Sequence, residues 1–128
     1  MSELIVDQEN AVRHCVRHFY DVARNDEWLG PTFAASIKNW DTHLLAMDDF
    51  WLTALLGQDR YRSAPFPPHL KLKIDQSHFD RWRDLWVASA VETLPEPLRG
   101  KAISMGKSMA HCWGQAYQAM TREPAGSP

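Results

Sequence analysis

Residues 39–57 read NWDTHLLAMDDFWLTALLG, and this stretch decides the fold. His43, Met47, Phe50, Trp51 and Ala54 recur at steps of three and four, with Leu44 and Leu55 beside them. That is the period of one helix face, not of a strand. Asn39 stands where a side-chain oxygen can accept from the first free N–H groups of a helix. Gly57 stands where a left-handed residue can end one.

The same period extends outward. From about Asp7 to Asn25, Val12, Val16, Phe19, Tyr20 and Ala23 share a face, and Leu29-Gly30-Pro31 interrupts it. A short helical piece, Thr32 to Ile37, is expected next. Downstream, Gly57 to Pro68 holds Pro65, Pro67 and Pro68 and reads as irregular, while His69-Leu70-Lys71-Leu72 has room for one turn. Asp75 can cap a helix running to about Thr93, with Phe79, Trp82, Leu85, Trp86 and Ser89 on its face. Pro97 suits the first turn of a last helix. Its stripe is expected to be Leu98, Ala102, Met105, Met109, Cys112, Trp113, Ala116 and Met120. No alternating segment competes, so the class is all-α, with one domain over 1–122 and a frayed tail over 123–128.

A chain of 128 residues, 45% hydrophobic with six Trp, builds a small core of which a large cofactor can form much. The net charge of −2 is spread along the chain, and the missing basic cluster argues against nucleic acid. No apolar run is long enough for a bilayer, and MSELIVDQEN lacks a basic start followed by an apolar run. Cys15 and Cys112 form neither a disulfide framework nor a CxxC pair. Both lie in helical patterns and read as buried, reduced thiols of a cytoplasmic protein.

Tyr20, His43 and Trp82 each put a hydrogen-bonding tip on an apolar face. Taken singly, each is expected to bond a nearby carbonyl or a water. Taken with His69, they allow a second reading. Donors from three helices can surround a diatomic ligand of ferrous iron, since bound O2 carries partial negative charge. Phe19, Met47 and Phe50 would complete the pocket. A proximal haem ligand needs a neutral imidazole oriented through its second nitrogen, and a proline-led turn can hold His69 that way. His14, His18 and His111 read as surface histidines.

Several ordered strings carry a resemblance. Phe19-Tyr20-Asp21-Val22-Ala23-Arg24 and Leu29-Gly30-Pro31-Thr32-Phe33 resemble the second-helix region of truncated haemoglobins. Trp40-Asp41-Thr42-His43-Leu44, Phe50-Trp51, Leu56-Gly57 with Tyr61 and Pro65, His69-Leu70, and His78-Phe79-Asp80-Arg81-Trp82 are similar to the third group of that family. The resemblance spans about Val16 to Trp86 and implies a two-over-two helical sandwich around haem b. It implies His69 as proximal ligand, and Tyr20, His43 and Trp82 as the distal pocket with Met47 on its wall. Phe19, Phe33, Phe50, Trp51, Tyr61, Leu72 and Phe79 are the expected haem contacts. Arg62, His78, Lys71 and Lys73 are candidates to pair with the propionates, or are plain surface charge. The sequence departs from the family at Lys73, Arg83, Trp86 and Ser63-Ala64-Pro65, which touches the loop and the haem rim rather than the iron ligand.

Two functional classes follow from this resemblance. One stores, transports or senses O2. The other turns over NO with O2, or peroxide, in the same pocket, with electrons from a separate reductase because the chain has no room for a flavin or nicotinamide domain. CO is an expected ligand in either case. Outside the family, the chain reads as a cofactor-free helical interaction module.

Overall fold

The computed structural model describes residues 3–121, so the tail expected over 123–128 lies outside the described residues. Helix α1 spans Glu3–Arg24, α2 Gly30–Ser36, α3 Trp40–Leu56, α4 Gln76–Thr93 and α5 Leu98–Thr121, with a 3-10 turn at Pro67–Lys71 before α4. Among the described residues there is no strand. The caps fall where the sequence puts them. Asn39 accepts from the Thr42 N–H at 3.1 Å, Gly57 ends α3 at φ 69°, and Asp75 caps α4 with His78 closing a capping box. α1 begins four residues before Asp7, and Gly30 and Pro31 open α2 rather than standing outside it. Proline at a first helical position needs no N–H, which is why the expected break is a start.

The helices pack as two pairs. α1 lies on α3, α4 lies on α5, and α1 crosses α4 to join the pairs. The join is built from aromatic rings: Phe19 meets Trp86 edge-on at 5.6 Å, and Trp86 stacks on Trp51 at 4.1 Å. The Trp86 indole N–H donates to the Ala102 carbonyl at 3.0 Å, so this buried polar tip is satisfied from α5. At Gly106 a Cβ would fall inside the Trp86 ring, so the close α4–α5 crossing depends on that glycine.

Two sequence expectations are corrected on α5. The buried stripe is Leu98, Ala102, Gly106, Ala110, Gly114 and Tyr117: its first two members are as expected, and from Gly106 on it runs one position round from the expected Met105, Met109, Trp113 and Ala116. Small residues at four-residue spacing let the helices approach, and the larger Met105, Met109 and Trp113 are left half-buried at the flank. Cys112 and Met120 are consequently exposed, whereas Cys15 is buried and its thiol is pushed up to about 11 by burial. His18 is also not a surface residue in full: its Nδ1 lies 2.9 Å from the buried Ser89 Oγ. Among the described residues, no helix is long and apolar enough to cross a membrane.

Candidate functional site

Between the two helix pairs and the 3-10 turn lies one cavity of about 350 Å³. Its size is at the lower end of ordinary ligand cavities. α1 supplies Phe19 and Tyr20, α2 Phe33, α3 His43, Met47, Phe50 and Trp51, and α4 His78, Phe79 and Trp82. Tyr61, His69 and Leu72 close it from the segment between α3 and α4. Every site residue expected from the sequence thus lines one cavity, except the propionate candidates Arg62, Lys71 and Lys73.

Arg62 stands outside it. Its guanidinium is paired with Asp59 at 2.6 Å, and its side chain is 79% exposed. An arginine three residues from an exposed carboxylate meets it locally, and nothing draws the pair inward. Lys71 and Lys73 are exposed as well. His78 does reach the cavity wall, but its Nδ1 is occupied by the Asp75 cap of α4.

On one side of the cavity stands His69. Its Nδ1 lies 3.1 Å from the Phe66 carbonyl. A carbonyl only accepts, so Nδ1 carries the proton and Nε2 keeps its lone pair. Burial lowers the imidazole pKa, against a smaller upward pull from the Phe66 and Pro65 carbonyls, and this favours the neutral ring. Phe66 lies parallel to the ring at 6.3 Å, and Trp113 of α5 rests against it at 5.2 Å.

Tyr20, His43 and Trp82 line the same cavity. The Tyr20 hydroxyl lies 3.0 Å from His43 Nε2. Burial pushes the Tyr20 pKa well above the ordinary tyrosine value, so the hydroxyl stays protonated and remains a donor. Burial lowers the His43 pKa, and proximity to His69 lowers it further. Two neutral groups sharing one hydrogen bond leave two arrangements. Either Tyr20 donates to His43, or the His43 Nε2–H donates to Tyr20 and leaves the O–H free to point into the cavity. Trp82 lies edge-on to Phe19 at 5.8 Å and parallel to Trp86 at 6.0 Å. Its indole nitrogen has no hydrogen-bond partner among the described residues.

Sequence reasoning missed several contributors. The sequence places Trp113 only in the core stripe of α5, yet it packs on His69. Trp40 lies edge-on to Tyr20 and His43 at 5.7 and 5.8 Å, and the Arg24 guanidinium sits 4.0 Å over its ring. Trp40 and Arg24 stood in the quoted strings without a role. Phe66 acts through its carbonyl, which leaves no side-chain signal.

The cavity between α1/α3 and α4/α5, closed by a histidine-bearing turn, defines the fold class as a truncated globin. The crystal structure of a group III truncated haemoglobin from Campylobacter jejuni superposes with a TM-score of 0.80 at 23% identity, over 90% of this chain and 94% of that one. In sequence, the chain is similar to the group 3 truncated haemoglobin ctb of Campylobacter jejuni, 27% identical over 110 residues, 82% of this chain and 86% of the relative. No family model matches the chain.

Proposed function

We propose that the chain binds haem b through His69 Nε2 and holds a diatomic gas, O2 foremost, against Tyr20, His43 and Trp82. One observation carries this reading. A neutral imidazole with its Nδ1 tied to a backbone carbonyl shares one largely apolar cavity with the hydrogen-bonding tips of Tyr20, His43 and Trp82. The residues fit the group. Among the described residues, no cluster of three or more His, Cys, Asp or Glu side chains gathers round a metal position. A lone imidazole therefore suits a metal whose other ligands come with it, and the aromatic lining suits a flat apolar macrocycle.

When bound, haem would supply an iron able to take up a diatomic gas and to do one-electron redox chemistry. The rest belongs to the chain. His69 orients the group through a second nitrogen fixed by Phe66. Phe19, Phe33, Met47 and Phe50 exclude water from the distal side. His43 in its Nε2–H form donates to the Tyr20 oxygen and aims the Tyr20 O–H at the ligand, and Trp82 offers its N–H beside it. Donors gathered in a dry cavity hold a partly negative ligand strongly.

Tight holding favours slow release over transport. The finer reading is therefore that O2 held here oxidises NO to nitrate, with one electron per turnover from a separate reductase. Peroxide is the other candidate substrate for the pocket. We place the protein in the cytoplasm, where unpaired Cys15 and Cys112 stay thiols. A plain O2 store or sensor uses the same pocket without turnover, and nitrate formation on mixing the O2-loaded protein with NO separates the two. Haem binding itself is tested by absorption spectra of the ferric, ferrous and CO forms of the wild type and of His69→Gly. An intense Soret band is expected in the wild type. In His69→Gly it is expected to weaken and to return, in part, with added imidazole. A wild type without that band, or a His69→Gly protein with an unchanged ferrous spectrum, refutes the reading.

A further inference from the structure

Tyr117 stands near the end of α5, buried at 8% exposure. Its hydroxyl donates to the Leu72 carbonyl and accepts from the Ile74 N–H at 3.3 Å. Leu72 to Ile74 is the non-helical link between the 3-10 turn that carries His69 and the Asp75 cap of α4. Such a link has no ladder of its own, and an unpaired buried backbone group is costly. Tyr117 thus satisfies one acceptor and one donor from a single atom, some forty residues away in sequence. Its ring also packs on Phe79, a wall residue of the cavity, at 5.9 Å. One turn earlier on α5, Trp113 rests against the His69 ring.

The 3-10 turn contains no fully buried residue, and of its apolar side chains only Leu70 rests, half-buried, against the cluster of Phe79, Ala110 and Tyr117. Its position is set from outside, by α5 at Trp113 and by Tyr117 at the link that follows. We propose that Tyr117 is a positioning residue for His69: its hydroxyl anchors the Leu72–Ile74 link and so fixes where the proximal imidazole stands. This rests on the reading of His69 as the haem ligand. The Phe66 bond orients the ring within the turn, whereas the Tyr117 bonds locate the turn against α5. Without the hydroxyl, the Leu72 carbonyl and the Ile74 N–H lose their partner, and the turn is free to shift as a unit with its Phe66–His69 bond intact.

Tyr117→Phe keeps the ring and removes only the hydroxyl. In the haem-loaded variant, transfer of haem to excess apomyoglobin is expected to quicken about fivefold or more, the weight of one net hydrogen bond. The iron–histidine stretching band of the ferrous, unliganded protein is expected to shift or broaden, which a loss of general stability alone would not do. O2 release, set on the distal side, is expected to stay within about twofold, below the weight of one hydrogen bond. In the haem-free proteins, amide hydrogen exchange at Ile74 is expected to be protected in the wild type and roughly tenfold faster in Tyr117→Phe, with α1 amides unchanged. Unchanged haem transfer and an unchanged stretching band in Tyr117→Phe overturn the proposal. So does wild-type exchange at Ile74 as fast as at Ser63 and Ala64, a result that needs no variant to fold. A wild type that takes up no haem overturns the proposed function and the His69 role together, while Ile74 exchange still judges the anchor by itself.

Discussion

Tyr20→Phe removes one oxygen atom from the centre of the distal wall and little else. The ring stays between Phe19 at 4.9 Å, Phe33 at 5.6 Å and Trp40 at 5.7 Å, so no packing is lost. The hydroxyl has one proton to give. It satisfies the ligand only if His43, 3.0 Å away, supplies its own Nε2–H to the Tyr20 oxygen. A hydrogen bond to a charged partner contributes about 1.5–3 kcal/mol, so its loss speeds O2 release by roughly ten- to a hundredfold. The freed His43 N–H can turn toward the ligand and offset part of this. The single variant is therefore expected near tenfold, and Tyr20→Phe/His43→Leu nearer the upper figure. CO carries less negative charge, and its release should change much less. Stopped-flow displacement of O2 by excess CO, and of CO by excess NO, reads both rates. O2 release within about threefold of wild type in the double variant, less than one such bond supplies, would refute the argument, as would equal acceleration of CO.

Trp82→Phe should also speed O2 release by about tenfold, and with Tyr20→Phe the two effects should fall short of additivity because the surviving donor can reorient. Strict additivity of the two free energies would show that they do not share a ligand. In the haem-free protein, burial lowers the pKa of His43 and His69 from 6.5, so the unfolded chain binds more protons just below that value. Stability is then full above pH 6.5 and falls as pH drops below it. Urea melts between pH 7.5 and 5 check this, and an equal slope in His43→Leu/His69→Leu would contradict it. Gly106→Ala drives a Cβ into the Trp86 ring and is expected to cost about 1–3 kcal/mol, read from denaturant melts, with unchanged stability as the adverse result.

The helices and their caps were legible because each is a local signal. Asn39, Gly57 and Asp75 act within one turn of where they stand, and the faces of α1 and α4 are marked by large apolar side chains. On α3, by contrast, the buried residues are Asp48, Trp51, Leu52 and Leu55, and the expected Met47, Phe50 and Ala54 are only half-buried. The stripe of α5 misled by one position for a physical reason. Where helices cross closely, the buried line is made of Ala102, Gly106, Ala110 and Gly114, and hydrophobic size then marks the flank instead. Cys112, Met120 and Tyr117 were misplaced or overlooked by that single offset. The site was legible through the resemblance more than through spacing: Tyr20, His43 and Trp82 were visible as polar tips on apolar faces, but their convergence is tertiary. Arg62 does not line the cavity: it pairs with Asp59, three residues away, and the sequence carries no mark that separates such a local ion pair from a propionate partner.

The two sides of the cavity are supported differently, and this bears on how the protein responds to change. Tyr20 and Trp82 sit on α1 and α4 beside Phe19 and Trp86, the rings that join the helix pairs. The distal donors are therefore fixed by the main core, and moving them means disturbing Trp51, Trp86 and Gly106. His69 sits on a short turn with no buried residue of its own, held by Phe66, Trp113 and the Tyr117 link. Those contacts belong to the last turns of α5 and to the smaller apolar cluster of Phe79, Ala110 and Tyr117. Cooperative opening follows contact density, so the turn that carries His69 is expected to open at lower free energy. On the proposed function, ligand chemistry would be set by the rigid side, and retention of the haem by the weaker one. Substitutions in the main core should act first on O2 release, and substitutions near the end of α5 first on haem loss.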